Sequence, residues 1–274
     1  ALTAVSIGMV FVSRYFIHET LLTASTFAAI ACGWRYTQRP SFLWAVACGA
    51  SVGMMHATKE TCVIALFAIV VALLVTVGVR RVNRWHVVAA VLTGACLSVA
   101  LFSSFGTHWR GVPDSVLTFT THYVQRGVGD GIHDHPWWYY LRMILWHRSA
   151  PGPVWSEALV VGLAIVGTLV AWLGFDANKA STRFVRFVSV YAFVTAFVYS
   201  ALPYKTPWLS VSFMQPTIVL AGVGVAVLIR NTPTYAGKAV TCLILIALTL
   251  QLASQTQRSI TRFAEDQRNP YVYA

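Results

Sequence analysis

The sequence has little charge. Only 11% of its 274 residues are charged and 57% are hydrophobic, giving a mean hydropathy of +0.65, whereas soluble domains are about one-quarter charged. The ranges 61–79, 87–107 and 206–229 contain no charged residue at all. A helix of about 20 apolar residues crosses the hydrocarbon core of a bilayer. The composition therefore excludes an ordinary soluble domain and predicts a membrane protein.

Cysteines are few, and their spacings exclude two common roles. The five cysteines lie in or beside apolar segments and fit neither a zinc site nor a disulfide framework. The formal net charge is +11, but the basic residues are spread singly between apolar runs and form no basic stripe. We therefore expect the cysteines to be small buried hydrophobic residues, and we expect no nucleic-acid partner.

The chain also lacks an initiator Met, a basic n-region and a cleavage site near its start. Its first twelve residues are apolar but too few to span a bilayer as a helix. We expect them to be the end of a preceding span. The sequence is thus expected to be an N-terminally truncated fragment that also continues beyond Ala274.

Apolar windows predict an all-α, polytopic transmembrane helical bundle with about eight or nine spans. The predicted core is 1–254, which includes an extracytoplasmic loop with interfacial helices at 106–156. Residues 255–274 are predicted to be an extracytoplasmic tail or the start of a further domain. The eight windows are 20–34, 41–58, 61–79, 87–105, 157–175, 187–203, 207–229 and 239–254.

The connections between these windows differ in charge. If successive spans alternate in direction, one set of connections carries ten basic residues and one acidic residue. The other set has ten basic and eight acidic residues, with seven of the eight histidines. Short connections rich in Lys and Arg face the cytoplasm. The ionisable chemistry is therefore predicted to lie on the extracytoplasmic face of the cell membrane.

Two polar clusters interrupt the first apolar runs. "SRYFIHET" contains Arg14, His18 and Glu19, and "MMHATKET" contains Lys59 and Glu60. A Lys or Arg at a span end also suits a headgroup anchor, since its long stem reaches water. Glu19 has no such stem, which favours a polar cavity or a charged partner. A cation beside carboxylates can bind an anion such as phosphate.

Two further motifs carry polar or aromatic side chains. The motif "HDHPWWYY" contains His133, His135, Trp137 and Tyr140. Its aromatic residues suit an interfacial segment or contact with a sugar ring. The two histidines, without a third ligand, are a weak zinc signal. Lys205 in "PYKTPWLS" precedes a predicted helix start, which suits either an anion or an ordinary helix entrance.

Taken in order, "SRYFIHETLL", "TKET", "HPWWYYL", "PYKTPW" and "RNPYVYA" resemble the GT-C superfamily of membrane glycosyltransferases. The chain resembles the branch of protein O-mannosyltransferases and aminoarabinose transferases, and is most similar to a prokaryotic group described as flippase-activity-associated.

The resemblance implies a polyprenyl-phosphate-linked sugar as donor and an active site that faces away from the cytoplasm. Ser13, Arg14 and Glu19 then correspond to the family's second extracytoplasmic loop, Lys59 to the lysine near the lipid phosphate, and 135–141 to a loop over the donor groove. The family's catalytic acid precedes the motifs in this chain, so the main base is expected to be absent from the fragment. Glu19 after His18 also departs from the more usual Asp.

The resemblance implies an integral-membrane glycosyltransferase that moves a sugar to a glycan or protein acceptor among membrane lipids. Glu19 is assigned to position the acceptor or a divalent cation, which is the one cofactor considered. The substrate-binding candidates are Arg14, His18, Lys59, Glu60, His133, His135, Trp137, Tyr140 and Lys205. The alternatives are a flippase for the lipid-linked sugar and a non-catalytic, flippase-associated membrane subunit.

Overall fold

The computed structural model describes residues 1–78, 82–118, 121, 131, 133–174 and 179–273, with backbone only at 179–181. These residues form two compact units. One, here called the contiguous unit, is His18–Asp134, and the other, the split unit, joins Ala1–Ile17 to His135–Ala274. The predicted boundary at 254 stays a prediction. Six residues counted in the charge comparison lie outside the described residues, namely Arg80, Arg81, His122, Arg126, Asp130 and Asp176.

The contiguous unit is built from helices alone in its described part. Helix α3 packs on both α2 and α5, and α4 contacts α2 and α3. A buried cluster of Leu22, Ala29, Met55, Cys62 and Ala65 forms its core. The helices are α2 (Glu19–Gln38), α3 (Phe42–Thr58), α4 (Cys62–Thr76), α5 (Arg84–Phe102) and α6 (Gly111–Thr118).

The split unit joins the first helix of the chain to the later ones. The helix α10 packs against α8 and α9, and α1 packs against α11. A short antiparallel hairpin pairs His147 with Trp155. The elements are α1 (Ile7–Ser13), α7 (Tyr139–Leu145), β1 (His147–Arg148), β2 (Val154–Trp155), α8 (Ala158–Leu173), α9 (Lys179–Ala201), α10 (Val211–Asn231) and α11 (Tyr235–Ile260).

The fold-class prediction is confirmed, because an α-helix occupies each of the eight apolar windows. Among the described residues, four helical segments are long and apolar enough to cross a membrane: Arg84–Phe102, Thr182–Ala201, Pro207–Asn231 and Tyr235–Ile260. Three shorter apolar helices are Phe42–Thr58, Cys62–Thr76 and Ala158–Leu173. In α5 and α11 only 6% of the apolar window is buried within the protein, as expected of helices that face lipid.

Candidate functional site

Glu19 opens helix α2, and its side chain is only 2% exposed. The first turn of a helix has free N–H groups and a positive dipole end, which favour a carboxylate there. The carboxylate also accepts a hydrogen bond and salt bridge from the Lys59 ammonium. Glu19 is therefore a buried charge with a paired counter-charge.

Lys59 follows the last turn of α3, where its backbone N–H donates to the Met55 carbonyl. A cation suits this position, because helix C-termini carry a partial negative charge. Its side chain is 18% exposed, against 2% for Glu19. Lys59 is thus the member of the pair that a ligand can reach more readily.

Two buried hydroxyls close to this pair in sequence have no hydrogen-bond partner within the described part of the chain. They belong to Thr23, one turn after Glu19 in α2, and to Thr61, two residues after Lys59. Both residues are 7% exposed. Buried polar groups are nearly always hydrogen-bonded, so each of these hydroxyls retains hydrogen-bonding capacity that no described residue uses.

The other candidates of the contiguous unit are more open. His18 precedes Glu19 and is exposed, whereas Glu60 and His133 are half-buried. Glu60 follows Lys59 in the turn that leads into α4. His18 and Glu60 are the sequence neighbours of Glu19 and Lys59, the two members of the salt bridge. Their roles in substrate binding stay predictions.

Arg14 lies in the split unit, and its observed contact is with the backbone. Its guanidinium donates from Nη1 to the carbonyl of Ile260, at 2.7 Å. Ile260 is the last residue of α11, where helix carbonyls lack partners within the helix. Arg14 therefore stabilises a helix end, and its predicted role in substrate binding stays a prediction.

Two predicted motifs of the split unit are bonded to each other. Lys205 is 1% exposed and donates to the carbonyls of His135, at 2.9 Å, and Leu202. The Tyr140 hydroxyl donates to the Thr206 carbonyl at 3.0 Å, whereas Trp137 is 65% exposed. Lys205 and Tyr140 thus hold the 135–140 segment in place, while Trp137 presents most of its surface outward.

One buried carboxylate was missed at the sequence level. Glu157 precedes α8 and is fully buried. It accepts hydrogen bonds from the Ser6 hydroxyl at 2.6 Å, the Gly8 N–H at 2.8 Å and the Tyr271 hydroxyl at 2.9 Å. The available signal was a carboxylate directly before a charge-free run, which is the same argument that singled out Glu19.

The surroundings of Glu157 are tightly packed. A Cβ atom at Gly8 would lie 2.8 Å from Cε1 of Tyr271 and 3.3 Å from Oε1 of Glu157. Burial raises the pKa of the Glu157 carboxyl, and the three donors limit that rise. Burial and the adjacent Glu157 raise the pKa of the Tyr271 phenol well above its usual value, so Tyr271 stays protonated and donates. The Glu157 carboxylate therefore links the first helix, the start of α8 and the segment after α11 through hydrogen bonds.

Metal binding finds no further support in the described residues, which contain no group of three or more His, Cys, Asp or Glu side chains that could hold an ion. The weak zinc signal at His133 and His135 therefore gains no third ligand among them. Glu19 already has a cationic partner in Lys59. A divalent cation at Glu19 stays a prediction.

A comparison with protein-family models matches residues 1–108 to the family described as dolichyl-phosphate-mannose-protein mannosyltransferase. No curated protein and no solved structure shows a significant match. The matched range contains Glu19, Lys59, Thr23 and Thr61 and ends before the "HDHPWWYY" motif. It supports a place in the GT-C superfamily and a membrane glycosyltransferase with a polyprenyl-phosphate-linked donor, without specifying the branch, the acceptor or the membrane face.

Proposed function

We propose that the protein transfers a sugar from a polyprenyl-phosphate carrier to a glycan or protein acceptor at the extracytoplasmic face of the cell membrane. The observation that carries this proposal is the Glu19–Lys59 salt bridge, which pairs a partly exposed cation with a buried carboxylate. The family match over the same residues supports it. The mannosyltransferase, aminoarabinose-transferase and flippase-associated branches all remain within the proposal.

Lys59 is better placed than Lys205 to bind a lipid phosphate. An ammonium has three N–H donors, and Lys59 uses one of them on Glu19, with no other hydrogen bond to the described residues. Lys205 is buried and already donates to two backbone carbonyls. A phosphate at Lys59 would gain charge-assisted hydrogen bonds, which are about twice as strong as neutral ones.

The chemistry needs a base, an acceptor and a stabilised leaving group. A carboxylate removes the proton from the acceptor hydroxyl or amide as that atom bonds to the anomeric carbon, and the bond from this carbon to the phosphate oxygen breaks with inversion. Polyprenyl phosphate departs with the electron pair, and Lys59 stabilises its charge. Glu19 holds Lys59 and positions the acceptor.

The test separates this role of Lys59 from its structural role. Lys59→Met alone leaves a buried carboxylate unpaired, which costs about 3–5 kcal/mol and can unfold the protein. The double variant Glu19→Gln/Lys59→Met removes both charges and is compared with Glu19→Gln. We expect the double variant to fold but to release polyprenyl phosphate about 100-fold more slowly than Glu19→Gln, as for loss of one transition-state donor.

The measurement is release of free polyprenyl phosphate by the purified full-length protein, with thermal unfolding to verify folding. Arg84→Gln is the matched control, because it removes an exposed cation at the start of α5 in the same unit. Equal and measurable rates for the double variant and Glu19→Gln would refute the role of Lys59. Movement of the donor lipid between the leaflets of a vesicle membrane, without any release of polyprenyl phosphate, would instead identify a flippase.

A further inference from the structure

The split unit contains a cavity of about 350 Å³ between α7, the segment after it and the chain after α11. We call it the tail cavity. It is lined by His135, Trp138, Tyr139, Arg142, His147 and Gln267 among others, and none of the lining residues is Asp or Glu. Its volume falls within the range of about 300–1,000 Å³ that is typical of small-molecule sites. The walls are aromatic and positively charged.

Arg142 supplies the permanent charge. Its guanidinium lies 5.9 Å from the centre of the Trp138 ring, and its side chain forms no hydrogen bond or ion pair with the described residues. Arg268 lies between two lining residues, Gln267 and Asn269. It is paired with Asp266 and donates to the Pro151 carbonyl. Arg142 thus retains its planar set of donors for a carboxylate or phosphate.

The remaining walls suit a sugar ring with its hydroxyls. Trp138 is 42% exposed, and the His135 ring stacks on Tyr139 with centroids 4.3 Å apart. The ring of His147 makes a 3.1 Å hydrogen bond with Ser149. Burial and the nearby Arg142 lower the pKa of His147, so it is neutral at pH 7 and adds hydrogen bonding without a second charge.

We propose that the tail cavity binds an anionic pyranose, a sugar that carries a carboxylate or phosphate group. Arg142 binds the anionic group, and the ring stacks on Trp138, since the negative face of an aromatic ring attracts polarised C–H groups. His147 and Gln267 face the sugar hydroxyls. That this sugar belongs to the acceptor rests on the proposed function, whereas its binding does not.

The test measures binding in the absence of any donor lipid. Full-length protein in phosphatidylcholine nanodiscs is titrated with D-glucuronate. Two controls are titrated in the same way: D-glucose, which has the sugar ring but no charge, and acetate, which has the carboxylate but no ring. Saturation-transfer NMR reports each affinity. We expect glucuronate to saturate in the millimolar range, at least about tenfold tighter than either control. Equal affinity for glucose and glucuronate, or no saturable glucuronate binding, overturns the proposal.

Two substitutions assign the contacts. Arg142→Gln should lower the affinity for glucuronate about tenfold, to the level of glucose. Trp138→Ala should weaken the binding of both sugars. Arg148→Gln is the matched control, since Arg148 is an exposed arginine in β1 outside the lining, and it should bind like the wild type. Unchanged glucuronate binding by a folded Arg142→Gln variant contradicts the assignment.

The outcomes keep the two proposals separate. Glucuronate binding without release of polyprenyl phosphate would reject the transferase and retain the tail cavity as a sugar site. Donor turnover without glucuronate binding would reject the tail cavity alone. Stronger binding of acetate than of glucuronate would show a simple anion site and would also overturn the sugar assignment.

Discussion

At the residue scale, two carboxylates are buried at the starts of helices and are balanced differently. Glu19 has a cation, Lys59, whereas Glu157 has three neutral donors. A carboxylate removed from water must regain its lost solvation from partners. The 18% exposure of the Lys59 side chain makes the first arrangement suitable for a ligand, while the second is closed by packing at Gly8 and Tyr271.

The sequence analysis singled out the first carboxylate and its partner, whereas for the second a local signal existed for Glu157 alone and not for its donors. Glu19 and Lys59 are charges at the ends of neighbouring apolar windows, so a local pattern points to both. The Ser6 and Tyr271 donors lie 151 and 114 residues from Glu157, and no local spacing indicates such partners. The tail cavity was missed for the same reason, because Gln267, which is far from Arg142 in sequence, forms part of its wall.

Tyr271→Phe should destabilise the protein by about 1–3 kcal/mol, because it removes one of the three donors to a buried carboxylate and retains the ring. Thermal unfolding in detergent measures the change. Tyr235→Phe is the control, since Tyr235 is 93% exposed and its hydroxyl can be replaced at little cost. A melting temperature for Tyr271→Phe equal to that of the control would contradict the role of this hydrogen bond.

At the element scale, the apolar windows predicted the helices well but their ends less well. Backbone groups in lipid must be hydrogen-bonded internally, so a long apolar run is necessarily helical. The window at 187–203 missed the earlier part of α9, where Arg186 donates to the Ala171 carbonyl and lies against Trp172. The window at 239–254 ended before Gln255 and Arg258, which continue α11. Helices α9 and α11 therefore extend past the charges that flank their windows, whereas α4 and α8 are shorter than theirs.

Close packing of α8 and α10 depends on glycine. A Cβ atom at Gly224 would lie 2.0 Å from the Leu163 carbonyl oxygen, and one at Gly167 would lie 2.3 Å from that of Leu220. Small residues let membrane helices approach closely. We expect Gly224→Ala to separate the two helices and to lower stability by about 1–3 kcal/mol.

Gly222 offers a matched control in the same helix. A Cβ atom there meets nothing within 4 Å, so Gly222→Ala should be neutral or stabilising by up to about 1 kcal/mol through helix propensity. Thermal unfolding of both variants in one detergent makes the comparison. Equal effects of the two substitutions would show that the α8–α10 contact does not depend on Gly224.

At the scale of the whole molecule, the predicted division at 254 can be tested by truncation. Residues after it provide buried Gln255, Thr256, Ser259, Asn269 and Tyr271. Their hydrogen bonds, which include those from Asn269 to the Ser259 and Phe263 carbonyls, each contribute roughly 1 kcal/mol. A chain ending at Ser254 should therefore lose the folded split unit.

Size-exclusion chromatography in detergent compares that truncation with a chain ending at Tyr273. We expect a folded, monodisperse peak only for the longer chain. A monodisperse peak with an unchanged melting temperature for the shorter chain would show that residues 255–273 form an independent tail, as the sequence predicted.

The closure around Glu157 has a consequence for biosynthesis. Ser6 and Gly8 leave the ribosome well before Glu157, and Glu157 well before Tyr271. Nascent chains fold domain by domain during synthesis, so the contiguous unit can mature while translation proceeds. The split unit can complete its folding only after Tyr271 has been synthesised. Until then the apolar segment around Ser6 and Gly8 lacks its partners and is exposed to aggregation.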